Sequence, residues 1–285
     1  MGMFKIGVIS DSFRLGVREG VAKVKDVGAD GMQIYAVSGE MAPEAMTAEK
    51  RKDFRAYCSK LGLEIAALCG DLGGHGFQCA KENTVKVPRS KEIVDLAVDL
   101  GTKVVTTHIG VVPREKNATY ATMKAACQEL GRYAEKKGVT FAIETGPEPA
   151  AVLRDFLKDV GSRGVGVNLD PANLVMVCGD DPVAAVQTLK DYIVHTHAKD
   201  GVQVRPCDPV AVYGAFADGG FEKLVAETGE LFREVPLGEG GVKWDAYLAA
   251  LKGIGYRGFL TIEREVGENP EKDIRAAVAF LRARI

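Results

Sequence analysis

The sequence predicts an α/β fold, a single (β/α)8 TIM barrel, and three observations carry that expectation. Eight short apolar runs recur along the 285 residues, and amphipathic stretches alternate with them from end to end. The runs are rich in β-branched residues and lack a polar/apolar alternation, as suits parallel strands buried on both faces. Eight such repeats favour a closed barrel over an open sheet. Length agrees, since a barrel of this kind uses about 250 residues as one domain. Residues 1–285 are therefore expected to form one unit.

Strand 1 is expected at 4–9, followed by a helix over 15–27 that gathers Leu15, Val17, Val21, Val24 and Val27. Strand 2 (31–35) leads to a helix over 48–61 with Phe54, Tyr57, Cys58 and Leu61 on one side. Strand 3 (64–69) precedes a helix over 90–100, and strand 4 (103–108) a helix over 119–137. Strand 5 (140–144) pairs with helix 149–160, and strand 6 (165–170) with helix 181–190. Strand 7 (193–198) is followed by a long insertion, 199–242, with a short helix at 221–232 and the segment PLGEGG at 236–241. An ordered lid is expected there, because long loops in compact domains are usually functional. Helix 244–253, strand 8 (258–263) and helix 270–283 complete the pattern. Gly28, Gly62, Gly101, Gly138, Gly161 and Gly253 are read as helix stops, and Pro88, Pro182 and Pro270 as residues near helix starts.

Composition narrows the function classes. The chain is 46% hydrophobic and 27% charged, with a formal net charge of −2. Such a balance offers no broad basic surface for nucleic acid or an anionic membrane. The turn after strand 1, Ser10 to Arg14, has no glycine fingerprint for a nucleotide. The six cysteines show no CxxC spacing and are read as reduced thiols, Cys58, Cys69 and Cys127 in apolar patterns. No signal-like apolar core precedes strand 1, so a cytoplasmic location is expected.

Polar residues stand where several apolar runs stop. Strand 4 ends in His108, strand 5 in Glu144, strand 6 in Asp170 and strand 8 in Glu263, while strand 7 carries His195 and His197. Glu144 to Asp170 is 26 residues and Asp170 to His197 is 27, each about one βα repeat. His197 to Glu263 is 66, one repeat plus the insertion. C-terminal strand ends converge on one mouth of a barrel. Glu144, Asp170, His197 and Glu263 thus form a candidate site for one divalent metal ion, Mn or Mg first, with Co, Fe or Zn compatible with the histidine. Two glutamates facing each other across such a site suit proton removal and return next to a carbonyl. His195 faces the same side of the strand as His197 and is read either as a core histidine or as support for the ligand.

The stretches FAIETG (141–146), VNLDPANL (167–174), HTHAKDG (195–201), PLGEGGVKW (236–244) and GFLTIERE (258–265) resemble the sugar phosphate isomerase/epimerase family with its xylose isomerase-like barrel. ALCGDLGGHGF (67–77) and TTHIG (106–110) extend the likeness into the first half. The resemblance implies a metal site at Glu144, Asp170, His197 and Glu263, with Glu144 and Glu263 as acid and base. It also implies substrate contacts from His108, Lys199 and Glu239. Where many members carry a histidine three residues after the strand-6 aspartate, this chain has Asn173, and Arg205 is the nearest counterpart of a substrate-binding arginine.

The expected function is isomerisation or epimerisation of a small sugar through an enediolate, with no nucleic-acid or membrane partner; pairing of barrels into a homo-oligomer is compatible. A lyase that dehydrates an inosose or eliminates from a 3-keto-glycoside is the alternative, since it begins with the same step. DNA repair on this barrel would need a histidine-rich mouth and a basic groove, whereas the chain has four histidines. A sugar-binding barrel without activity would not require both glutamates. For a phosphorylated substrate, Arg14, Arg205 and Arg264 are the candidate contacts.

Overall fold

Eight parallel strands close into a barrel in this computed structural model, which describes residues 3–285. The first two residues of the expected 1–285 unit therefore lie outside the described residues. In chain order the elements begin with β1 (Lys5–Ile9), α1 (Val17–Asp26), β2 (Gly31–Tyr35), α2 (Ala48–Lys60), β3 (Glu64–Cys69) and α3 (Ala80–Leu100). They continue with β4 (Val104–Thr107), α4 (Ala118–Lys137), β5 (Thr140–Glu144), α5 (Ala150–Val160) and β6 (Val165–Leu169). A single turn, α6 (Pro171–Asn173), precedes α7 (Pro182–Leu189) and β7 (Ile193–Ala198). Then follow β8 (Asp200–Gln203), α8 (Pro209–Ala217), α9 (Phe221–Thr228), β9 (Phe232–Val235), α10 (Trp244–Gly253), β10 (Phe259–Ile262) and α11 (Pro270–Arg282).

The barrel order is β1-β10-β7-β6-β5-β4-β3-β2, closed by the parallel pairing of β1 with β10. All five residues of β6 are buried, as expected of a strand covered on both faces. Ile6, Val8, Met32, Ile34 and Phe141 share one hydrophobic cluster with Val94, Leu96, Leu130 and Leu153 from the outer helices. Burying a large aliphatic side chain of this kind contributes about 1.5–3 kcal/mol, so this layer holds the strand ends in fixed register.

Three sequence expectations are corrected. Helix α3 starts ten residues before the expected 90 and runs through Pro88. The helix survives because Pro88 is exposed while neighbours anchor it: Lys86 Nζ donates to Gly76 O at 2.8 Å and Asn83 Nδ2 to Phe77 O at 2.9 Å. Gly253 is the last residue of α10 rather than its left-handed stop, and Gly255, at φ +77°, takes that part. The helix expected at 221–232 stops at Thr228, because Phe232–Val235 pairs as a strand with β8.

Between β7 and α10 the chain makes the antiparallel pair β8–β9 with α8 and α9 between its strands. Ala172, Met176, Val177, Val212 and Leu231 form a second, smaller apolar cluster beneath it. Asp200 ties the segment 236–242 to the barrel. Its Oδ2 accepts from Gly238 N (2.9 Å) and Trp244 Nε1 (2.8 Å), and its Oδ1 from Gly201 N (2.9 Å) and Val242 N (3.1 Å). A Cβ on Gly240 would come within 2.1 Å of Asp200 Oδ1, so the chain needs glycine to pass this close.

Candidate metal centre

Parallel register brings the C-terminal ends of four strands to one level. Glu144 is the last residue of β5 and pairs with Asn168 on β6, and Thr261 on β10 pairs with His197 on β7. Asp170 follows β6, where its Oδ1 accepts from Asn173 N at 2.8 Å and caps α6. Glu263 follows β10. One donor atom from each of Glu144, Asp170, His197 and Glu263 lies within 4.8 Å of the others, and all four residues are buried. His197 Nδ1 is 3.2 Å from Asp170 Oδ2, 3.3 Å from Glu263 Oε2 and 3.5 Å from Glu144 Oε1.

Three buried carboxylates in such contact need positive charge among them. Burial pushes the Asp170 carboxyl up. Burial also works against charge on His197, yet Glu263 and Glu144 outweigh it and hold the imidazole well above its ordinary range. A proton on His197 thus does, in part, what a cation would do. Three carboxylate oxygens and one imidazole nitrogen fit a hard to borderline divalent ion. His197 Nδ1 faces the carboxylates, and its Nε2 lies 3.1 Å from Asn168 Nδ2 and 3.3 Å from Gln33 Oε1, so the two amides hold the ring with Nδ1 toward the cluster.

Amides position Glu144. Asn168 Nδ2 donates to its Oε2 at 3.2 Å and Asn173 Nδ2 to its Oε1 at 3.1 Å. Asn173 therefore reaches the cluster and also lines the cavity above it. His108 lines that cavity too, with Nδ1 3.0 Å from Asp71 Oδ2 and Nε2 3.7 Å from Glu144 Oε1. Burial disfavours its charge, but Glu144 and Asp71 together lift it to about 10. Lys199 Nζ is 2.9 Å from Glu263 Oε2 and also contacts Glu265, so its charge is retained despite burial. His195 is buried, lies 2.9 Å from Thr261 Oγ1 and is pushed down to about 3 by burial and by His197. It is a neutral core histidine beside His197.

Two expected substrate contacts are not brought to the cavity. Arg205 is exposed and donates to Thr228 O at 2.6 Å, because β8 ends at Gln203 and carries it past the mouth to the end of α9. Glu239 is exposed on the loop that Asp200 holds, so that loop presents backbone, not the carboxylate, to the barrel. The other candidate phosphate contacts are engaged: Arg14 with the carbonyls of Glu265 and Gly267, and Arg264 with Glu234 and Asp273. Sequence reasoning missed Gln33, Asp71, Tyr213, Glu234 and Glu265, all of which line the cavity. Asp71 stands two residues past strand 3 in CGDLGG, the same kind of signal that found Glu263. All six cysteines are free, with Cys58, Cys69 and Cys127 buried and Cys79 exposed. Among the described residues no helix is long and apolar enough to cross a membrane.

The cavity measures about 910 Å³. The family model described as a xylose isomerase-like TIM barrel matches residues 21–284. No curated protein matches by sequence. A xylose isomerase domain protein from Planctomyces limnophilus is 30% identical, with 98% of this chain and 96% of that one covered at a TM-score of 0.79. A probable 3-DHS dehydratase from Bacillus anthracis shares the fold at 18% identity, 99% and 100% coverage and a TM-score of 0.72. A 3-keto-D-glucoside 4-epimerase from E. coli does so at 16% identity, 98% and 99% coverage and a TM-score of 0.71.

Proposed function

The chain belongs to the xylose isomerase-like TIM barrel family, and on that premise we propose that it is a divalent-metal-dependent isomerase or epimerase acting on a small sugar or sugar derivative, with residues 1–285 as one catalytic unit. The observation that carries this reading is the placement of Glu144 and Glu263. They stand on strands separated by β6 and β7, yet both carboxylates reach His197 Nδ1, at 3.5 and 3.3 Å. Two carboxylates that approach one spot from different sides can serve opposite faces of one carbon.

Asp170, His197, Glu144 and Glu263 would hold the ion, Mn or Mg by their oxygen-rich donor set. When bound, it supplies Lewis-acid polarisation of the substrate oxygen next to the reacting carbon. One glutamate takes the proton from the carbon beside the carbonyl, and the C–H electron pair moves into the enediolate. The other returns a proton, to the opposite face of that carbon for epimerisation or to its neighbour for isomerisation. Asn168 and Asn173 orient Glu144 for this, and Lys199 orients Glu263. His108, braced by Asp71, would donate to a substrate hydroxyl.

A lyase is the second reading, favoured by a cavity larger than a monosaccharide needs. There the same enediolate would expel water or an aglycone from the next carbon. Incubation of ketoses, inososes and 3-keto-glycosides in D2O separates the two, because a lyase loses a group while an epimerase only gains deuterium. Glu144→Gln and Glu263→Gln should each cut turnover to product by at least about 100-fold. Full turnover in either variant would sink the two-base mechanism.

A further inference from the structure

The cavity above the carboxylate cluster has two chemically different halves. The inner half is polar, and its lining carboxylates are Asp71, Glu144, Glu234, Glu263 and Glu265. The basic side chains of the cavity lining are engaged: Lys199 with Glu263 and Glu265, His108 with Asp71, His75 with Asp218 at 2.9 Å, and Arg233 with Glu230 at 2.7 Å. A phosphorylated or carboxylated substrate would meet acids here and would have to displace existing ion pairs to find a cation.

The outer half is apolar and comes from the helices carried on β8–β9. Tyr213, Phe216, Phe221 and Phe232 line it, facing Met176 and Val177. Phe216 and Phe221 stack with centroids 4.2 Å apart, and Phe232 lies 5.6 Å from Phe221. Tyr213 joins this group to the polar half, 5.9 Å from the His108 ring. Packing of the insertion alone does not account for the arrangement. Phe216 remains 49% exposed despite its stacking partner, and Val210 and Val266 on the same lining are 60% and 48% exposed. Burying them needs a further apolar body. Volume points the same way: about 300–1,000 Å³ is the range for drug-sized ligands, and 910 Å³ lies near its top, well beyond one hexose ring.

We propose that the substrate is an uncharged sugar derivative bearing an apolar, ring-sized substituent, with its polyol end at the Glu144–Glu263 cluster and the substituent against Tyr213, Phe216, Phe221 and Phe232. This rests on the sugar reading of the metal centre and names the substrate class for it. The sugar hydroxyls meet carboxylate acceptors and the His108 donor. The substituent gains aromatic contact, about 0.5–1.5 kcal/mol per ring pair beyond area burial.

Equilibrium binding tests it without relying on turnover. The full-length protein, with Mn added, is titrated by calorimetry with a panel of methyl glycosides, the matching phenyl glycosides and hexose 6-phosphates. The expected result is a phenyl glycoside that binds at least tenfold tighter than its methyl counterpart. That advantage should shrink to less than threefold in Phe221→Ala and Phe232→Ala, and circular dichroism should show both folded. The Phe221→Leu variant, which keeps the volume but not the ring, should retain part of it. If no phenyl glycoside gains over its methyl partner, or a 6-phosphate binds tightest, the inference is overturned. Exchange of carbon-bound hydrogen is read separately, so the acid/base reading can fail while the preference stands, and the reverse.

Discussion

The Lys199 ammonium lies 2.9 Å from Glu263 Oε2, and both side chains are buried. Removing one partner of such a pair leaves an uncompensated buried charge, which costs about 3–5 kcal/mol. Lys199→Met is expected to lower the stability of the metal-free protein by about that amount. Urea denaturation in EDTA reads it as a shifted midpoint. An unchanged midpoint would mean that Glu263 does not depend on Lys199.

Cation binding should raise the melting temperature. A ligand at 100 times its Kd stabilises the folded state by about 2.7 kcal/mol. Differential scanning fluorimetry with Mn or Mg is expected to show the rise, and EDTA to reverse it. Asp170→Asn should abolish it while keeping the fold, because asparagine can still cap the Asn173 amide. A melting curve indifferent to Mn, Mg, Co, Fe and Zn would remove the metal reading.

Asp200 receives four donors, from Gly201, Gly238, Val242 and Trp244. An unsatisfied buried donor costs about 1–3 kcal/mol, so Asp200→Ala is expected to be destabilising by several times that of Trp244→Phe, which removes one donor. Hydrogen exchange should show residues 236–242 opening first. Protection of that loop equal to the parent's would contradict the tether.

Glu148 gives a pH dependence. Burial pushes its carboxyl up to about 8, against the smaller opposing effects of the Val112 N–H and His108. The folded state therefore binds this proton more tightly than the unfolded chain does. Its stabilising contribution is full below the ordinary carboxyl range and is lost as pH rises to about 8. The slope is at most about 1.4 kcal/mol per pH unit. Glu148→Gln keeps an acceptor for Val112 N and has no proton to lose. Its stability relative to the parent should climb between pH 5 and 8 (roughly the window between the two pKa values); parallel curves would refute the assignment.

The four clustered positions were legible in the sequence because each stands at or beside the end of an apolar run, with Glu144, Asp170 and His197 one βα repeat apart and Glu263 one repeat plus the insertion further on. Arg205 and Glu239 were not, because an insertion has no repeat to count against. Whether its side chains turn to the mouth depends on the β8–β9 pairing and on the Asp200 tether. Gln33 was hidden for another reason. It sits inside β2, where a single polar residue gives no sign that it faces His197 across the barrel. The early start of α3 was masked by Pro88, whose local penalty is offset by contacts distant in sequence, such as that of Lys86 with Gly76.

The pairing of Asp200 with Val235 makes β8 and β9 a two-stranded stem with adjacent ends. Everything between them, including Tyr213, Phe216 and Phe221, leaves the barrel and returns to it at nearly the same point. Helices α8 and α9 can therefore drift, lengthen or be exchanged as a cassette while Glu144, Asp170, His197 and Glu263 keep their geometry. Such a stem separates the evolution of the outer cavity wall from that of the carboxylate cluster.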